Sequence, residues 1–178
     1  MAWPVIHQIT PHLAISDIYA AKHEKTLREH GITHILSLLS FATIAPVPES
    51  ITNLKLDILD YPDENILDEF RTTHEFIDEA VKKGGNVLIH CQAGISRSST
   101  TLCAYIMKSQ GLSRDVAFKM IKDRRAIVRP NEGFWEQLKV YEECGCDPKK
   151  GHPAYDAWEK RFYAWGGPAD PGTAKAKL

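Results

Sequence analysis

Val87-Leu88-Ile89-His90-Cys91-Gln92-Ala93-Gly94-Ile95-Ser96-Arg97-Ser98 is the stretch on which the fold turns. Val87 to Ile89 is apolar on both faces, the pattern of a strand buried in the middle of a parallel sheet. Ser98 to Gln110 suits a helix, and Gly111 suits its end. Between strand and helix lies a tight loop. Its one glycine, Gly94, lets the backbone turn and come close to a ligand. Strand, loop and helix in that order make an anion cradle. Backbone N–H groups converge on one oxyanion, and the helix N-terminus adds positive partial charge.

Elements of the same kind flank this unit. Ile6 to Ile9 and Leu13 to Ile15 read as short strands about Thr10-Pro11-His12. Asp17 to His30 reads as a helix ended by Gly31. Thr33 to Leu38 and Asn53 to Leu59 read as strands, and Phe41 to Glu49, carrying Pro46 and Pro48, as a loop. Residues 66 to 83 suit a helix with Phe70, Ile77 and Val81 on one stripe and Gly84-Gly85 stopping it. Two more helices follow Gly111. Ser113 caps the first, with Val116, Ala117, Met120 and Ile121 inward; Asn131 caps the second, with Phe134, Leu138 and Tyr141 inward. Alternating strands and helices predict an α/β fold with a mostly parallel central sheet and helices on both faces. The ligand site of such a sheet lies beyond the carboxyl ends of its strands, which is where the Cys91 loop leaves.

Bulk properties narrow the class. The chain has 178 residues, 43% hydrophobic and 25% charged, as expected of one globular domain over about residues 1 to 150. Residues 151 to 165, with Tyr155, Trp158, Phe162, Tyr163 and Trp165, predict an aromatic extension packed on that domain. From 166 to 178, Gly, Pro, Ala and Lys predict a flexible tail. A formal net charge of −1 argues against general nucleic-acid binding. No apolar run has the length of a membrane helix, and no basic-then-apolar leader opens the sequence. Cysteines stand at 91, 103, 144 and 146. A reactive Cys91 has to stay free, so a reducing compartment, cytoplasm or nucleus, is expected. Cys103 falls inside a helix and suits the core. Cys144-Gly145-Cys146 with His152 resembles a partial metal-ligand set. A plain helix end with Gly145 past the last turn is the preferred reading, with no metal.

The loop residues carry a consistent chemistry. Cys91 is the candidate nucleophile, since a thiolate is the reactive form and is favoured beside a helix N-terminus and a cation. Arg97 offers a planar fork of donors matching two oxygens of a phosphate. Gln92, Ala93, Gly94, Ile95 and Ser96 would cradle the remaining oxygens through their N–H groups. Ser98 can cap the helix start, or donate to the Cys91 sulfur when that sulfur has to leave. His90 is expected to orient the loop by hydrogen bonds.

His90 to Ser98 resembles the signature loop of cysteine-dependent protein phosphatases, specifically the dual-specificity branch. Gly31-Ile32-Thr33-His34-Ile35-Leu36-Ser37, Phe76-Ile77-Asp78, Ala104-Tyr105-Ile106-Met107 and Arg129-Pro130-Asn131-Glu132-Gly133-Phe134 are similar to the same branch, so the resemblance covers about residues 5 to 145. Cys91-Gln92-Ala93-Gly94 and Pro153-Ala154-Tyr155-Asp156-Ala157-Trp158 look most like its zinc-tailed atypical subgroup, which is linked to ribosome assembly. The zinc module expected of that subgroup does not occur within these residues. A ribosome-assembly context is therefore implied by resemblance only.

The resemblance implies removal of phosphate from phosphotyrosine and phosphoserine or phosphothreonine in proteins, through a cysteinyl-phosphate and without cofactor. A leaving oxygen then needs a proton donor. Leu56-Asp57-Ile58-Leu59-Asp60-Tyr61-Pro62-Asp63-Glu64 offers four carboxylates. Asp60 falls where strand gives way to loop and lies 31 residues before Cys91, the family's offset for its acid; Asp63 is the runner-up. Lys119, Lys122, Arg124, Arg125 and Arg129 form a basic run, either a solvated helix face or a second anion site. Arg129 stands nearest the loop by resemblance and is the one expected to reach substrate. Asn131 is expected to brace the loop as well as cap a helix. The variable loop positions Gln92 and Ile95 add no charge, which disfavours a phosphoinositide substrate. The same chemistry also suits a phosphoglucan or an RNA end, and the same cradle suits phosphate binding without turnover.

Overall fold

The computed structural model describes residues 4–40 and 47–164. Most of the expected 41–49 loop, Trp165 and the expected tail lie outside the described residues. The elements, in chain order, are β1 (His7–Thr10), β2 (Leu13–Ser16), α1 (Ile18–Ala21), α2 (Glu24–Glu29), β3 (His34–Leu38) and β4 (Thr52–Leu56). A single 3-10 turn (Leu67–Glu69) leads into α3 (Phe70–Lys82). Then come β5 (Val87–His90), α4 (Arg97–Gln110), α5 (Arg114–Arg124), α6 (Glu132–Glu143) and α7 (Pro153–Ala164).

The five strands form one sheet in the order β1-β2-β5-β3-β4. Among the described residues, the β1–β2 pair is antiparallel and the other three pairs are parallel. β5 is central, with Val87 opposite Leu13 on one side and His34 on the other. Its side chains divide between two cores as a period of two requires. Val87 and Ile89 join Leu36, Leu38, Leu13 and Ile15 in the larger core, under α3 to α6. Leu88 joins Ala14 and Ile35 in a smaller one with Ala20, Ala21 and Leu27 of α1 and α2. The fold is thus α/β with a mostly parallel sheet covered on both faces, as the strand pattern implies. Among the described residues, no helix is long and apolar enough to cross a membrane.

Several boundaries differ from expectation, each for a local reason. The single helix expected over 17–30 is two short ones. Asp17 caps the first by accepting from the Tyr19 and Ala20 N–H groups, and the His23 ring caps the second by accepting from the Thr26 N–H. β4 stops at Leu56 rather than Leu59 because its partner β3 ends at Leu38. The three freed residues swing toward the Cys91 loop. The helix expected from residue 66 starts as a 3-10 turn whose first N–H groups are claimed by a distant side chain, Gln137. Arg97, not Ser98, opens α4, and Ser96 precedes it without a side-chain cap bond. On α5, Ala117 and Ile121 are buried, but Val116 faces solvent at 49% exposure. The aromatic stripe forms α7, with Tyr155 and Trp158 buried and the Tyr155 hydroxyl donating to Asp68 at 3.1 Å.

Caps are legible where a polar residue meets its own helix. Ser113 Oγ accepts the Val116 N–H, and Asn131 Oδ1 accepts the Phe134 N–H at 2.8 Å. Gly145 is left-handed after α6. The Cys146 N–H reaches the Tyr141 carbonyl and the Gly145 N–H the Glu142 carbonyl, a Schellman closure. Cys144 Sγ lies 3.3 Å from His152 Nδ1. Among the described residues, no three His, Cys, Asp or Glu side chains gather in a metal-holding group. Cys103 is fully buried, and burial pushes its thiol up to about 12, which makes it inert.

Candidate active site

The loop between β5 and α4 is held from outside by its carbonyls. The Gln92 carbonyl accepts from the Ile18 N–H, and the Ala93 carbonyl from Arg125 Nη2 at 3.1 Å. Gly94 accepts from Arg125 Nε at 2.8 Å, and Ile95 from the Arg129 N–H and Ser99 Oγ. Ser96 accepts from the Ser99 and Thr100 hydroxyls and the Thr100 N–H. In a trans peptide the N–H points opposite to its carbonyl. Five consecutive carbonyls anchored outward therefore turn the N–H groups of Ala93 to Arg97 toward the loop's hollow, making a nest for an anion. Gly94 is left-handed at φ +65°, and a Cβ there would run into the Ser16 carbonyl and the Arg125 guanidinium. Only glycine fits.

Around this nest stand the side chains singled out in the sequence. Cys91 is buried, its Sγ 3.3 Å from Ser98 Oγ. Ser98 therefore faces the sulfur and does not cap the helix. His90 is fully buried, with Nε2 2.8 Å from Ser37 Oγ and Nδ1 3.4 Å from the Cys91 carbonyl. Burial lowers its pKa to about 4, so the ring is neutral. The ring is held between the Cys91 carbonyl and the Ser37 hydroxyl, which also donates to Asn53 Oδ1 at 3.2 Å. Arg97 donates from Nη1 to the Ile58 carbonyl at 2.9 Å, a contact made possible by the early end of β4. Its Nε is buried and donates no hydrogen bond.

The acidic segment crosses above the loop. Asp60 Oδ2 lies 3.6 Å from Arg97 Nε, and Asp60 Oδ1 accepts from Asn131 Nδ2 at 3.0 Å. Asn131 also donates its backbone N–H to Ser96 Oγ at 3.1 Å, so one residue ties acid segment, loop and α6 together. Asp60, Leu59, Tyr61, Gln92, Arg97 and Ser40 line one cleft. Asp63 lies outside that cleft, in a neighbouring hollow. Within the segment, burial holds the Glu64 carboxyl above the usual range. A hydrogen bond from the Leu59 backbone acts against this, and Asp57 and Asp63 add to it.

Three residues that hold this arrangement, Arg125, Gln137 and Gly133, have contacts that the sequence pattern does not reveal, although Gly133 lies in a stretch similar to the family. Arg125, grouped with a basic run, is 5% exposed and braces the loop. Burial disfavours its charge while Asp17 and Cys91 favour it. The rest of that run is dispersed. Lys119 pairs with Asp123, Lys122 donates to the Val128 carbonyl, and Arg129 is exposed with its backbone N–H on the loop. Gln137 is buried on α6. Its Oε1 accepts from the Ile66 and Leu67 N–H groups at 2.9 Å each, and its Nε2 donates to the Glu64 carbonyl at 2.8 Å. Gly133 is packed so tightly on Pro62 that a Cβ would overlap the Pro62 carbonyl. Asn131, Gly133 and Gln137, at two- and four-residue steps on one helix, thus clamp the acidic segment. No periodic signal marks such contacts; the only trace is a glycine and an amide in an otherwise apolar-striped helix.

Residues 16–144 match the family model described as dual specificity phosphatase, catalytic domain. Over 147 residues the chain is 40% identical to the dual specificity protein phosphatase MPK-4 of Drosophila melanogaster, covering 79% of this chain and 37% of that one. Over 158 residues it is 36% identical to the tyrosine-protein phosphatase yvh1 of Schizosaccharomyces pombe, covering 89% of this chain and 48% of that one. The chain thus spans half or less of the length of these two relatives. Among solved structures, the human tyrosine phosphatase-like serine/threonine/tyrosine-interacting protein superposes with a TM-score of 0.75 at 36% identity, over 80% of this chain and 99% of that one.

Proposed function

The chain belongs to the dual specificity phosphatase family through its catalytic domain, and on that premise we propose that it hydrolyses phosphotyrosine and phosphoserine or phosphothreonine in proteins through a cysteinyl-phosphate. One observation carries the reading. The loop's carbonyls are anchored by outside donors while the buried Arg97 Nε donates to nothing, so the loop that begins at Cys91 keeps a set of donors for an anion. In the first step the Cys91 thiolate attacks phosphorus. The bond from phosphorus to the side-chain oxygen breaks, and Asp60 gives that oxygen its proton. Arg97 and the nest hold the charge spreading over the equatorial oxygens. In the second step a water attacks the phosphorus, the Asp60 carboxylate takes its proton, and the sulfur–phosphorus bond breaks. Ser98 donates to the departing sulfur, and inorganic phosphate leaves. The scheme uses no cofactor or metal.

The human structural neighbour is named as phosphatase-like and interacting, which raises a second reading, binding without turnover. Asp60 and Arg97 line one cleft with Gln92, the residue next to the buried Cys91, and this favours turnover. The four cysteines are free, and a working Cys91 needs reducing surroundings, so we place the protein in cytoplasm or nucleus. The phosphoprotein is its partner in this reading; nucleic acid and ribosome assembly form no part of it. The test is phosphate release from an aryl phosphate and from phosphopeptides, with mass spectrometry of quenched turnover. Phosphorus on Cys91 is expected. The Cys91→Ser variant should release nothing yet retain phosphopeptide, and full activity in that variant would overturn the mechanism.

A further inference from the structure

A second hollow adjoins the catalytic cleft. Pro62 and Asp63 of the acidic segment, Glu132 and Glu136 of α6, and Trp158 and Phe162 of α7 line about 430 Å³. Cleft and hollow share one wall. Asp60 and Tyr61 face the first, and the next two residues face the second. Four consecutive residues span only about 10 Å of chain, so the hollow lies within reach of an extended segment that leaves the cleft on this side.

The hollow is predominantly acidic, with three carboxylates and one guanidinium, Arg161, in its lining. Trp158 and Phe162 stack with centroids 4.8 Å apart at 31°, an aromatic floor. Three carboxylates surround it. Glu136 meets Arg161 at 3.3 Å, while Asp63 and Glu132 have no ion-pair partner among the described residues. α7 lies beyond residues 16–144, so the aromatic wall is not part of the matched catalytic module. Loop chemistry accounts for phosphate capture, but nothing in it uses this surface.

We propose that the hollow is a subsite for a lysine or arginine of the substrate, roughly two to four positions from the phosphorylated residue in an extended segment. The aliphatic stem of such a side chain lies along the aromatic floor, and its cation meets ring faces and carboxylates together. An aspartate or glutamate in the same place meets three carboxylates against one guanidinium, that of Arg161, which Glu136 already holds. The subsite deepens the phosphatase reading and rests on it, and the experiment separates the two.

The experiment is a phosphotyrosine peptide series with Lys, Ala or Glu at each position from −4 to +4, assayed for kcat/KM beside a small aryl phosphate. One flanking position should favour Lys over Glu by about two- to fivefold, as a partly exposed charge pair allows. The preference should shrink at high salt. Glu132→Gln should reduce it and Glu132→Lys should reverse it. Both variants should turn over the aryl phosphate as the wild type does. Phe162→Ala should lower the gain from Lys without reversing the order. Wild-type activity on the aryl phosphate with no flanking preference, or a preference untouched by Glu132→Lys, overturns the subsite alone. No phosphate release from either substrate overturns the phosphatase reading and the subsite with it.

Discussion

Arg125→Leu tests whether the phosphate loop is held open by its outer anchors. Arg125 is 5% exposed and donates to the Gly94 and Ala93 carbonyls at 2.8 and 3.1 Å. Hydrogen bonds from a charged donor contribute about 1.5–3 kcal/mol each, and the Ala93 contact, being partly exposed, belongs at the low end. The pair is therefore worth roughly 3–5 kcal/mol. Leucine fills most of the space but leaves both carbonyls free to rotate, and rotation turns the Gly94 and Ile95 N–H groups out of the nest. Restoring the nest in the transition state would then raise the barrier by about 3 kcal/mol, on the order of a hundredfold in rate. The loss should be equal for aryl phosphates with good and poor leaving groups, because the nest holds phosphoryl oxygens and not the departing one. Vanadate affinity should fall by a similar factor. Arg125→Lys should fall between, since one ammonium cannot hold both carbonyls in fork geometry. The assay is kcat/KM across a phenol series, with urea titration to establish that the variant is folded. A folded Arg125→Leu variant within about threefold of wild type, or one that slows only poor leaving groups, refutes the reasoning.

Further outcomes follow from the acidic segment and from His90. Asp60→Asn should slow poor leaving groups by about 10²–10⁴ and good ones little, as loss of a general acid does; equal slowing in a phenol series would remove it from that role. Gln137→Leu breaks two buried hydrogen bonds and one partly buried one and leaves three backbone groups without that partner, so urea titration should show a loss of about 3 kcal/mol. The same phenol series should show Asp60-like selectivity for leaving group, while Gln137→Glu, which keeps both acceptor bonds, should recover part of it. His90 titrates near its ordinary 6.5 when unfolded but is lowered to about 4 in the fold. Between those values the unfolded chain binds the extra proton. Stability should therefore be full above about pH 6.5 and decline as pH drops toward about 4, by up to about 3 kcal/mol. Urea midpoints measured across that window should slope for wild type and flatten in His90→Asn; an unchanged slope would assign the effect elsewhere.

Sequence pattern is informative where a few adjacent residues carry their own physics. The apolar run at Val87, the glycine turn, and the caps Ser113 and Asn131 act over one to four residues, so their pattern is written locally. The same holds for the cysteine and arginine that bracket the loop. Pattern fails where a residue's partner is remote. Arg125 reads as one more surface cation, although its carbonyl partners lie 31 and 32 residues earlier. Gln137 reads as a polar break in a helix, although it serves backbone groups 70 to 73 residues away.

The chain's letters alone were enough for the alternation of strands and helices, the order strand–loop–helix at Cys91, and the kind of chemistry that order permits, because periodicity, turn preference and side-chain type are short-range properties. Which groups meet needed the folded chain. It is folding that seats Arg125 beneath the loop, presses Pro62 onto Gly133, brings Asp60 to Arg97 and Asn131, and sets α7 beside the cleft. Buried polar groups have to find partners wherever the packed chain supplies them, and that supply leaves no regular trace along the sequence.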